Sequence, residues 1–337
     1  MKAWILEEPG KLILQESQPT EIGENQIKVK IEEVLLNNTD IEIYTGALKR
    51  KYPFIIGRYA VGVVSVVHGD NPILRKMDRV VIEPCIPCEM CDECKSGEYT
   101  NCSNLMELGY NCNGLLQNFV DLPYAQLHQI PDQLSNEKAL FVPMVANCLN
   151  IVDALNLEKG RHIAIFGDTK IALILAQLIS YYQAVPVIIS NSRELLDMAR
   201  ELGIIYCFNP DQTDVEEAIL AVTGGRKCKE VILLSNSDIN MKDVYSVARF
   251  NANICLAGYS NKDSKMSIAQ ICKKHLNIFG VYNGAGNYSS AINLLVTDTV
   301  NVDGLIGPTI NFDNLDDEMR QINPFEVELK SKIVKIN

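Results

Sequence analysis

The chain has 337 residues, 47% hydrophobic and 22% charged, with a net charge of −11 and a pI of about 5.0. That length is enough for two domains with sizeable cores. The acidic balance argues against non-specific nucleic-acid binding or an anionic membrane as partner, and no apolar run reads as a membrane span.

Charge at Lys2, Glu7 and Glu8 interrupts the N-terminus at once, unlike a signal peptide. With eleven cysteines, this predicts a reducing, cytoplasmic setting. The first part reads as β-rich. Ile27-Lys28-Val29-Lys30-Ile31 alternates apolar and polar, and 61–67 and 79–82 are β-branched runs. Near residue 150 the rhythm changes. Residues 162–166 form a short buried strand, 170–182 a helix, 185–189 a strand and 193–202 a helix. Further strands are expected at 231–234, 254–258 and 278–282. Such alternation implies a parallel sheet wrapped by helices. The acidic run Asp313 to Glu318 reads as a solvated helix start, and 332–336 is again β-like.

Cys88, Cys91, Cys94 and Cys102 are separated by two, two and seven residues. That spacing lets a short lobe close on one tetrahedral zinc through four thiolates, with no open position, which is a structural site. Inert thiols and a disulfide pair are the competing readings. The spacing disfavours the first, and the absence of secretory features disfavours the second. Cys85 is a spare thiol beside the cluster.

The strand, turn and helix around Gly167 form the setting of a dinucleotide fingerprint, Gly-x-Gly-x-x-Gly. Here the run is Gly167-Asp168-Thr169-Lys170-Ile171-Ala172. Ala172 still permits close helix–strand packing, whereas Thr169 crowds the pyrophosphate approach. The helix start would still favour an anion. A Rossmann-type domain with weak nucleotide binding is the alternative. The next strand ends in Ser190-Asn191-Ser192-Arg193, without a carboxylate. Hydroxyls, an amide and a guanidinium suit a 2′-phosphate, so NADP is weakly favoured over NAD. Arg193 could equally be a solvated residue in the first turn of a helix.

On these residues the chain resembles the zinc-type medium-chain dehydrogenase/reductase family, which includes alcohol, sorbitol and threonine dehydrogenases. The motifs are Glu83-Pro84 followed by the four cysteines and Gly97, Thr39-Asp40, Gly57, 60–64, and Gly114 before Phe119-Val120. Lys159-Gly160, Ala199-x-x-Leu202-Gly203 and Gly258 complete the match. The resemblance implies an α/β architecture. A GroES-like β-rich catalytic domain (1–148 and 285–337) would carry the zinc lobe at about 84–104. A doubly wound Rossmann nucleotide-binding domain would occupy 149–284, with 284–288 near the cofactor's nicotinamide end. It also implies a homo-oligomer, dimer or tetramer, through Rossmann edge strands.

The resemblance places the family's catalytic-zinc ligands on Asn37, Arg58, Tyr59 and Ala146, none of which is a usual zinc ligand. Cys148 lies two residues late. A metal-free hydride transfer is therefore expected, to or from a small carbonyl or alcohol, an imine or an activated alkene. Thr39 would be the substrate-side hydroxyl and Glu42 the proton relay. Tyr59 would be an acid, and Arg58 an oxyanion or carboxylate binder that suits an anionic substrate. Alternatively, Arg58 pairs with Asp40 to fill the vacated metal cavity and Tyr59 is packing. A second function class is a non-catalytic, zinc-containing binding or scaffold relative. An ordinary zinc alcohol dehydrogenase would need ligands that are not here.

Overall fold

The computed structural model describes residues 1–16, 18, 22–23, 25–68, 73–234, 240–258, 265–322 and 328–336. The chain forms two compact units. The first comprises residues 1–143, 288–296 and 302–337, and the second 144–287 and 297–301.

In the first unit, alternation in Gln26–Leu35 turns Ile27, Val29 and Ile31 inward. Each such buried side chain contributes roughly 1.5–3 kcal/mol. This strand pairs antiparallel with Tyr59–Val67, with Phe119–Pro123 and with Ser331–Lys335. Ser331–Lys335 runs parallel to Ile306–Asn311. The C-terminal segment thus returns to close the first unit's seven-stranded sheet. Tyr59–Val67 continues the sheet through Arg79–Ile82 to Leu127–Gln129. A hairpin of Lys2–Glu8 and Lys11–Glu16, not expected from the sequence, adds Trp4, Leu6 and Leu12 to the same core.

In the second unit, six parallel strands lie in the order Tyr206–Phe208, Val185–Ile189, His162–Phe166, Cys228–Leu233, Ala248–Leu256 and Asn277–Gly280. Counted along the chain this is 3-2-1-4-5-6, the dinucleotide-binding order, whose direction reverses beside the first strand. Runs such as Val187–Ile189 and Val231–Ile232 are buried almost throughout, as strands covered on both faces require. Helix Lys170–Tyr181 buries Ala172 to Ala176, Leu178 and Ile179.

The helical stretch Asn136–Leu155 is, by length and composition alone, long and apolar enough to span a bilayer. Its most apolar window is 72% buried inside the protein. A buried core helix needs the same apolar composition as a membrane span.

Candidate functional site

The cysteine lobe hangs from a short antiparallel ladder, Cys85–Ile86 against Met106–Glu107. Between these strands, helix Asp92–Lys95 and the turn Tyr99–Asn101 fold back on each other. The Sγ atoms of Cys88, Cys91, Cys94 and Cys102 all lie within 4.8 Å of one another. A tetrahedron of zinc–sulfur bonds about 2.3 Å long spaces its sulfurs by roughly 3.8 Å. Cys91 and Cys102 sit at 3.9 Å, so the donors fit a zinc ion. Backbone N–H groups of Met90 and Cys91 pull the Cys88 pKa down to about 6, toward the thiolate a metal requires. Among the described residues, no second group of three or more His, Cys, Asp or Glu ligand atoms converges in this way. Cys85 stays outside it. Burial pushes its pKa up to about 12, which keeps it an unreactive thiol.

The positions that the family resemblance assigns to a catalytic metal carry a hydrogen-bonded network. Asn37 is the N-cap of helix Asn38–Thr45. Its side chain accepts from the Asp40 amide, and Asp40 Oδ2 accepts from the Asn37 amide at 3.0 Å. This reciprocal capping box fixes the helix start. Asp40 Oδ1 takes the Gly57 N–H at 2.9 Å. Gly57 has φ +99°, and a Cβ there would meet the Leu116 amide nitrogen at 3.0 Å, so the turn needs glycine. Burial raises the Asp40 pKa to about 6, against the opposing pull of the two amides and of Arg58.

The Arg58 charge acts on Asp40, and Arg58 also forms an ion pair with Glu107. Arg58 is 8% exposed, and its Nη2 donates to Glu107 Oε2 at 3.0 Å. Its guanidinium also lies 5.2 Å from the Tyr110 ring centroid. Glu107 was not visible as a partner from sequence, being 49 residues away. It belongs to the ladder that carries the cysteine lobe. Thr39 and Glu42 lie in the helix that Asn37 caps, and burial raises the Glu42 pKa. Tyr59 opens its strand opposite Leu35, and burial raises its pKa above the usual 10.

Three more residues join this side of the first unit. The His128 ring stacks on Tyr288 with centroids 4.4 Å apart, and its Nε2 is 2.9 Å from Glu83 Oε2. Burial raises the Tyr288 pKa well above 10, with the Glu83 carboxylate adding to the rise and Arg58 opposing it. Glu83 was visible as part of the Glu83-Pro84 motif. Tyr288 carried no signal beyond its place after the Gly284 loop.

In the second unit, the turn after His162–Phe166 carries the nucleotide motif. Gly167 has φ +144°, and a Cβ there would lie 2.8 Å from Leu234 Cβ. Thr169 is the N-cap of Lys170–Tyr181, but its side chain makes no cap bond. Its Oγ1 is buried and, among the described residues, has no partner. A buried unpaired hydroxyl at the open start of a 12-residue helix fits a bound anion. The dinucleotide's pyrophosphate is such an anion. Lys170 is buried and Ile171 half-buried in the first helical turn. Ser190 is buried, Asn191 exposed, and the Arg193 side chain 92% exposed.

Comparison with known proteins now decides the family. A model of the alcohol dehydrogenase GroES-like domain matches residues 23–132, and a model of zinc-binding dehydrogenases matches 171–297. The chain belongs to the zinc-type medium-chain dehydrogenase/reductase family. It is an NAD(P)-dependent oxidoreductase of that family. It is 28% identical to an uncharacterized zinc-type alcohol dehydrogenase-like protein of Haemophilus influenzae, over 94% of this chain and 93% of that one. It is 22% identical to a sorbitol dehydrogenase of Bacillus subtilis, over 100% of this chain and 98% of that one. Among solved structures it shares its fold with an Escherichia coli CFT073 alcohol dehydrogenase complexed with NADH. That match has a TM-score of 0.89 and 23% identity, over 100% and 99% of the two chains.

Proposed function

We propose that this protein transfers hydride between a nicotinamide dinucleotide and a small carbonyl, alcohol, imine or activated alkene without a catalytic zinc. The observation that carries the reading is the commitment of the matched positions to other bonds. Asn37 caps a helix, Arg58 is paired with Glu107, and Asp40 is tied to two amides. When bound, the cofactor supplies the hydride acceptor or donor. The chain supplies the phosphate-facing helix start at Thr169, Lys170 and Ile171, and the glycine at 167 that lets the turn form.

On the substrate side, the protein must supply an oxygen-directed donor in place of the polarisation a metal would provide. Tyr59 suits that task, because burial holds its hydroxyl protonated well beyond neutral pH. Glu42, with its pKa raised by burial, can pass a proton toward solvent, and Thr39 offers a hydroxyl in the same helix. Arg58 acts through its charge. The Glu107 carboxylate engages its Nη2, which weakens the case for an anionic substrate.

Titration with NADH and NADPH, followed by nicotinamide fluorescence, tests the reading. Saturable binding of at least one at sub-millimolar concentration is expected. Failure of both at millimolar concentration overturns it.

A further inference from the structure

The expectation of NADP(H) rested on the lack of an acidic residue where strand Val185–Ile189 ends. The structure brings a carboxylate there from the neighbouring strand. Phe166 and Ile189 are paired in register, so the turn after Phe166 lies beside the segment after Ile189. Asp168 reaches across this gap. Its Oδ1 accepts from Ser190 Oγ at 2.5 Å, from the Asn191 amide at 2.9 Å and from the Ser192 amide at 3.4 Å. Among the described residues no donor reaches Oδ2. A second carboxylate, Asp211, holds the Asn191 side chain at 2.8 Å.

Two consequences follow from charge and from donor counting. The Ser190 hydroxyl and the Asn191 and Ser192 amides are the donors a 2′-phosphate would use; the first two are turned onto Asp168, and the Ser192 amide is shared between Ser190 Oγ at 3.1 Å and Asp168. A phosphate brought to this place would also face a negative carboxylate in a partly desolvated setting. A ribose diol has the opposite requirement, since its hydroxyls donate, and the unengaged Oδ2 of a fixed carboxylate accepts. Arg193 does not offset this charge, being exposed and 3.7 Å from Asp197.

We infer that Asp168 is the residue that reads the adenosine ribose, accepting from its hydroxyls and rejecting a 2′-phosphate, so that the site takes NAD(H) in preference to NADP(H). This rests on the dinucleotide reading above. The turn residue thereby does the work that an acidic residue at the end of the second strand does in NAD-preferring folds.

The test is fluorescence titration of wild type, Asp168→Asn and Asp168→Ser with NADH and with NADPH, alongside thermal melts. Wild type should bind NADH at least about tenfold more tightly than NADPH, and both variants should shrink that ratio about tenfold or more. Displacement of bound NADH from wild type by ADP-ribose and by its 2′-phosphorylated form gives the same discrimination without any variant. Wild type that binds NADPH as tightly as NADH overturns the inference while leaving dinucleotide binding intact. So does a folded Asp168→Asn with an unchanged ratio. Wild type that binds neither nucleotide overturns both readings.

Discussion

The cysteine lobe and the polar network around Asn37, Gly57 and Arg58 lie in the same unit and differ in what their side chains hold. The lobe keeps four sulfurs at zinc spacing and a backbone that donates to one of them. Among the described residues the network around Asn37 holds no comparable donor set, and its polar groups are paired. Asn37 and Asp40 satisfy each other's amides, Asp40 also takes the Gly57 amide, and Arg58 is matched by Glu107. The difference teaches that burying polar side chains without a metal is a network problem. Each new polar side chain must find a partner, because an unpaired buried donor or charge costs more than a formed bond returns. The two regions are also joined. Glu107 lies on the ladder opposite Cys85, so the lobe's base supplies the carboxylate that neutralises Arg58.

The largest expected effect comes from breaking the lobe. Cys102→Ser should reduce bound zinc to near zero and lower the melting temperature sharply, since structural zinc sites contribute on the order of 10 kcal/mol. Metal analysis and calorimetry check this. Next comes the Arg58–Glu107 charge pair. Glu107→Leu leaves Arg58 buried without its carboxylate and should cost about 3–5 kcal/mol in denaturant unfolding, while Arg58→Met combined with Glu107→Leu should recover most of it. A double variant no better than Glu107→Leu alone would show that the pair is not a unit.

A smaller effect isolates Asp40. Its folded pKa is raised from 3.8 to about 6, so its contribution favours the folded state fully below pH 3.8 and is lost as pH rises through about 6. That change corresponds to about 3 kcal/mol. Asp40→Asn should flatten this part of the stability–pH curve. It should also cost about 1–3 kcal/mol at low pH, because one acceptor becomes a donor facing an amide. Unfolding measured from pH 3.5 to 7 distinguishes the two contributions.

What the sequence made legible was local. The four cysteines lie within 15 residues, so spacing alone revealed their chemistry. The strand–turn–helix at Gly167 was legible because buried strands and an amphipathic helix have different periods. The capping box was also written locally, as Asn37-x-x-Asp40. What stayed hidden depended on register across sheets. Glu107 meets Arg58 from a ladder far along the chain. Asp168 sits at a variable position of the fingerprint, and only the pairing of Phe166 with Ile189 sets it beside Ser190. His128 and Tyr288 meet only when the C-terminal part returns to the first unit.

The most direct measurement is zinc per chain in purified protein, repeated on Cys102→Ser and Asn37→Ala. The account requires a single ion, lost with the cysteine and untouched at Asn37. Two ions in the wild type, or zinc that survives in Cys102→Ser, would contradict it.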